Sequence, residues 1–173
     1  MYSAIVSRNW DEDKATSSPA TELVEFNCYS SWVRRDDIIG KTGVSGSPIH
    51  RVPLYVENSI DGFYCKKETD FIYHSTRSAQ TWFQVDLNNV YTLKCVRVTT
   101  RDFSSYFSDV EFRFGNESQV ENYSKNHVIA FVGPENGYRF EFCLNYQLAG
   151  RYLGLRQHKN TWLLIGQIQI TIQ

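Results

Sequence analysis

Val110-Glu111-Phe112-Arg113-Phe114-Gly115-Asn116 decides the fold class of this chain. Apolar and charged side chains alternate, and a Gly-Asn pair closes the run. Successive side chains of a strand point to opposite faces, so a period of two sends Val110, Phe112 and Phe114 to a core and Glu111 and Arg113 to solvent. Working outward, the same period recurs in Val96-Arg97-Val98-Thr99, in Tyr138 to Phe142, and in Gln167 to Ile172, where Gln167, Gln169 and Thr171 take the outer face. Clusters of Gly, Ser, Asn and Pro separate these runs at 43–48, 115–118 and 133–137. No stretch repeats apolar residues at helical spacing. Several short strands with regular turn signals predict an all-β sandwich or barrel. Residues 1–37 read as a polar N-terminal extension, with one added strand suggested by Val24, Phe26 and Cys28. Residues 38–173 read as the domain.

A chain of 173 residues is long enough for one domain with a core of its own. Aromatic residues make up 15% of it, which suits pleated surfaces. With 18 basic and 19 acidic residues the net charge is -1, so no strong field would draw it to nucleic acid. No apolar run approaches the roughly 20 residues of a membrane-spanning helix, and Ala4-Ile5-Val6 is too short for a leader. Cys28, Cys65, Cys95 and Cys143 have no metal or redox spacing; two disulfides, one or none all remain open. Asn116-Glu117-Ser118 and Asn122-Tyr123-Ser124 are glycosylation sequons. The cysteines and sequons favour an extracellular protein, with a cytosolic place left open. Gly40-Lys41-Thr42 lacks the first glycine of a phosphate loop, Gly43-Val44-Ser45-Gly46 is no nucleophile elbow, and His50, His74, His127 and His158 lack metal-ligand spacing. No catalytic constellation is signalled, so the expectation is a binding domain, not an enzyme.

Three blocks carry a resemblance. Gly40-Lys41-Thr42 through Asn58-Ser59-Ile60-Asp61-Gly62 is similar to an opening strand and Asn-Ala-Val-Asp-Gly turn. Trp82-Phe83-Gln84-Val85-Asp86-Leu87, with the strand Val96 to Thr100 and then Glu111 to Asn116, looks like a Trp-Trp-x-Val-Asp-Leu strand and its successors. Gly150-Arg151-Tyr152-Leu153 and Leu163 to Ile168 resemble the closing strands. In this order they resemble the discoidin (F5/8 type C) superfamily, most closely its F-type, fucose-binding lectins. The resemblance implies a discoidin-like antiparallel β-sandwich of jelly-roll type, with short loops at one rim that take carbohydrate, lipid or protein. A fold shared by many binders does not name the ligand. A glycan or glycoprotein is the expected partner, and a protein partner in adhesion or assembly is the alternative.

F-type lectins carry His, 26 residues, Arg-x-Asp, four residues, then Arg or Lys. Here His74 is followed after 26 residues by Arg101. Arg offers five fixed donors and a neutral His one, both suited to sugar hydroxyls. Tyr73, Phe103 and Tyr106 are near enough in sequence to cover a sugar's apolar face. The pattern then departs: Phe103 stands where the acid belongs, with Asp102 beside it as a stand-in, and Ser108 stands where the second base belongs. The resemblance also implies a calcium ion held by Asn58, Asp61, Gly166 and Gln167, all able to offer oxygen. Gln167 replaces the usual Glu, and Gly166 replaces a Cys, which removes one partner of the usual disulfide.

Overall fold

The computed structural model describes residues 28–30, 43–61, 63–65, 72–100, 107–118, 123–133 and 139–173. Eleven strands are formed among them. They are β1 (Cys28–Ser30), β2 (Gly43–Gly46), β3 (Phe63–Cys65), β4 (Tyr73–His74), β5 (Trp82–Thr99), β6 (Val110–Gly115), β7 (His127–Val132), β8 (Arg139–Cys143), β9 (Ala149–Gln157), β10 (Leu164–Ile165) and β11 (Gln167–Ile172). Short 3-10 turns occupy Val56–Ser59 and Tyr123–Lys125. The fold is the antiparallel, discoidin-like β-sandwich that the sequence implies.

The sequence predicts separate strands at 82–87 and 96–100; the chain instead runs through 18 residues of β5 with a bend in the middle. Its first half pairs with β2 and β9, and its second half with β11 and β8. Between Asp86 and Tyr91 the register shifts, and Asn88 adopts φ 64°. Asn tolerates the left-handed region better than most residues because its short polar side chain bonds locally. The bend is also tied down by Asp86, whose Oδ1 accepts the Asn88 N–H at 2.8 Å. Arg151 on β9 grips the same carboxylate through Nε and a terminal nitrogen at 2.7 and 2.8 Å.

β5 therefore belongs to two layers, one of β2, β5, β9, β6 and β7, the other of β11, β5 and β8. Their inner faces meet in an aromatic seam. Phe112 of β6 lies 4.9 Å from Phe142 of β8 between ring centroids, and Phe107, just before β6, stacks on Phe140 at 5.3 Å. Phe83, Val96, Val98, Leu153, Leu155, Ile168 and Ile170 fill the space between. The alternation of β6 holds, with Phe112 and Phe114 buried and Glu111 and Arg113 half-buried. On β11 it does not: Gln167 and Thr171, read as outer-face residues, are both buried. The 3-10 turn Val56–Ser59 packs against this strand, so the last strand has cover on the face that alternation assigned to solvent.

Cys95 and Cys143 stand directly opposite in the β5–β8 register and form a disulfide with a Cα separation of 4.1 Å. The two cysteines are 48 residues apart in sequence, and closing such a loop removes about 3–5 kcal/mol of chain entropy from the unfolded state. The bridge also accounts for the grouping of Cys95, Glu141 and Cys143, which has no thiolate left for a metal. β1, from the N-terminal extension, pairs with β3 in a register that sets Cys28 opposite Cys65. Val24 and Phe26, read as part of that added strand, lie outside the described residues.

The Arg151 hydrogen bond holds the Asp86 carboxyl below the ordinary carboxylate range. A depressed pKa means that the unfolded chain binds the proton more tightly. The contact thus stabilises fully above about pH 4 and fades as pH falls through the folded value. Asp86→Asn is expected to lower the melting temperature at pH 7, with variant and wild type converging near pH 2. A constant offset across that range would show that the charge is not what matters.

Candidate functional site

One rim of the sandwich collects the segments that the sequence singles out. The Ser47 N–H donates to Trp82 O at 2.9 Å, where β5 begins, and the Gly166 N–H donates to Thr99 O at 2.8 Å, where β5 ends. β4 lies beside both places, because Tyr73 pairs with Ile165 and its hydroxyl donates to Ser47 O at 2.7 Å. The fold over in β5 thus brings its two ends to the same edge, next to His74. Gln157, fully buried, ties this edge together. It accepts from Thr81 Oγ1 at 3.1 Å and donates through Nε2 to Ser108 O at 3.2 Å, which satisfies both ends of its amide.

His74 is half-buried and faces ring systems the sequence does not point to. His50, whose N–H donates to His74 O at 2.8 Å, stacks at 4.9 Å between centroids with a tilt of 31°. Trp162 presents its ring edge-on to His74 at 6.2 Å. Trp162 itself rests on Leu54, Ile72 and Leu164, a small core separate from the main one. Arg77 lays its guanidinium over the indole at 5.6 Å and donates from Nε to Asn160 O at 3.1 Å. Trp162 is held beside His74 by an antiparallel run in which the Ser75 N–H donates to Leu163 O and Ser75 Oγ accepts from the Leu163 N–H.

Tyr73, expected to cover a sugar, cannot do so. Its side chain is 0% exposed and packs on Phe83 at 5.6 Å. The phenol is spent on Ser47 O, and burial raises its pKa far above the ordinary tyrosine value. A side chain on Gly46 would collide with that hydroxyl, since a Cβ there would stand 2.7 Å from it. Alternation is no guide in a strand of two residues, so the sequence had no means to tell Tyr73 from His74. Arg101, Asp102, Phe103 and Tyr106 lie outside the described residues.

At the place of the missing second base, Ser108 is buried. A base nonetheless reaches it: Lys159, from the loop after β9, donates from Nζ to Ser108 Oγ at 3.3 Å and pairs with Asp109 at 2.6 Å. Nothing in the spacing of the sequence connects residues 108 and 159; only the β6–β9 pairing, which sets Val110 opposite Gln157, brings them together.

Of the four residues implied for calcium, Asn58 sits in the 3-10 turn that packs on β11. It spends its amide hydrogens on Pro53 O at 3.0 Å and Ile72 O at 3.4 Å, which turns the amide by its donors. Asp61 is exposed three residues on. Gly166 and Gln167 are buried where β10 passes into β11. Gln167 is 3% exposed, donates from Nε2 to Ile168 O at 3.3 Å, and leaves Oε1 buried without a hydrogen-bond partner. An unsatisfied buried carbonyl oxygen is costly unless something positive meets it. An oxygen donor set of this kind, with one carboxylate, fits a hard cation.

No protein-family model matches the chain, and no curated protein sequence does. Solved structures match in fold. The serum fucolectin of striped bass, Morone saxatilis, superposes with a TM-score of 0.66 at 22% identity over 77% of this chain, which spans 46% of that protein. The lectin domain of lectinolysin, solved with Lewis B antigen, gives 0.63 at 18% identity over 78% of this chain and 94% of that one. A fucose-binding module of Streptococcus pneumoniae gives 0.63 at 12% identity over 82% and 99%. The architecture is thus the discoidin-like sandwich that these structures share.

Proposed function

We propose that this chain is a non-catalytic carbohydrate-binding domain that takes a fucose-class sugar at the His74 rim. The observation that carries the reading is the placing of His74 at the edge where β5 both begins and ends; in the sequence Arg101 comes two residues after the last residue of β5. In this reading His74 and Arg101 donate to sugar hydroxyls, and Lys159 supplies the ammonium that Ser108 cannot. Asp102, Phe103 and Tyr106 follow Arg101 closely in the sequence and are the further candidate contacts. Such a site is shallow and weak alone, and gains strength when several copies act together.

Calcium belongs to the same reading. Asn58, Asp61 and the Gly166 and Gln167 carbonyl oxygens would hold it, and the ion would brace the 3-10 turn against β11 beneath the rim. An extracellular setting is supported by the Cys95–Cys143 bridge, which persists in oxidising compartments. It is supported too by the exposed Asn116 of the first sequon. The β6–β9 register puts Asn116 beyond the Gly115–Tyr152 pair, at the pole away from the rim. A glycan there leaves the rim open.

On an array of fucosylated glycans the wild type should bind, and His74→Ala or Arg101→Ala should weaken binding about tenfold or more. Lys159→Met should weaken it less. A wild type that binds no glycan would hand the rim to a protein partner. Millimolar calcium should raise the melting temperature by roughly 5 °C, reversed by chelation. Gln167→Glu, which adds a second carboxylate, should enlarge the shift; indifference of both proteins to calcium would remove the ion from the account. Protein exported from eukaryotic cells should lose mass on glycosidase treatment, and Asn116→Gln should lower that loss.

A further inference from the structure

Arg77 is an exposed guanidinium fixed at two points. Its Nε is committed to Asn160 O at 3.1 Å, and its guanidinium carbon lies over the Trp162 ring, 5.6 Å from the centroid. Among the described residues, no hydrogen bond engages either terminal nitrogen and no carboxylate lies within ion-pair distance of it. The base at this edge, Lys159, is engaged by Asp109. A guanidinium stacked on an indole and anchored by one hydrogen bond has lost most of the rotamer freedom that makes surface arginines weak binders. The same Trp162 ring also meets His74 edge-on at 6.2 Å, and His50 packs on His74 at 4.9 Å. Arg77 therefore faces outward immediately beside the proposed sugar contact, in a stretch that includes His50 and His74.

We propose that Arg77, held on Trp162, forms a second subsite beside His74 that takes an oxyanion, a sulfate ester or a carboxylate, on the sugar next to the one His74 engages. The planar fork suits two oxygens of one such group, which a neutral hydroxyl cannot offer with charge. The subsite rests on the carbohydrate reading of the rim, and it turns that reading from a monosaccharide site into one for an acidic oligosaccharide.

The test is calorimetric titration of the intact chain with one Lewis-type fucosylated oligosaccharide in neutral, sulfated and sialylated forms. An acidic form should bind about tenfold tighter than the neutral one at low salt, and the advantage should shrink as salt screens it. Arg77→Gln should erase the advantage while neutral binding stays as it was; Arg77→Lys should keep a part, having the charge without the stacked plane. Which acidic form gains tells sulfate from carboxylate. Equal binding of neutral and acidic forms, or an equal loss of both in Arg77→Gln, overturns the subsite. A second arm needs no sugar: inorganic sulfate should change tryptophan fluorescence in the wild type, and not in Arg77→Gln or Trp162→Phe. A response to sulfate with no glycan bound in any form would sink the carbohydrate reading and leave an oxyanion pocket at Arg77. No response to sulfate and no acidic preference would end the subsite alone while a neutral form still binds, and would end the carbohydrate reading as well where no form binds.

Discussion

Everything at the rim depends on the turn that β5 takes between Asp86 and Tyr91. A straight strand of that length would carry its two ends to opposite poles. The bend lets one strand serve both layers, so that Trp82 and Thr99 finish beside the same short β4. The forked Arg151 contact and the Asn88 amide both converge on Asp86 at this place. A carboxylate in a strand is thus explained by geometry and not by chemistry on a ligand. The seam of Phe107, Phe112, Phe140 and Phe142 then fixes the spacing of the layers, and the rim inherits its shape from that spacing.

The strands were legible because their chemistry is local. β6 and β8 can each be read from half a dozen residues, since alternation needs only neighbours. The resemblance carried more, since it singled out His74, which does lie at the edge where the two ends of β5 meet. What escaped the sequence is what depends on distant partners. His50, Arg77 and Trp162 come from three separate loops and have no spacing in common. Tyr73 and His74 are adjacent and differ only in which side of a two-residue strand they occupy. Gln167 looked like an outer-face residue because alternation knows nothing of a 3-10 turn lying across it.

The same split between frame and rim appears against known structures. At 10–22% identity the sandwich superposes on lectins and fucose-binding modules, so the frame tolerates wide change in sequence. The rim departs from the expected pattern in its sequence. Its acid and second base are missing from the expected positions, while Lys159, Asp109 and Arg77 bring charge to the edge from other loops. Substitution of contacts between loops is easy on such a frame, because loops that meet at one edge are free to exchange roles without disturbing the core.

The Cys95–Cys143 bridge closes a covalent ring that contains all of β6 and β7 but neither β9 nor β11. A protease that cuts once anywhere between those cysteines opens the ring without dividing the molecule. Both pieces remain a single particle, each still threaded through the hydrogen-bonded ladder of the other. The molecule can therefore lose the continuity of a rim loop and keep its body, a form of durability that matters for any protein that works among digestive enzymes.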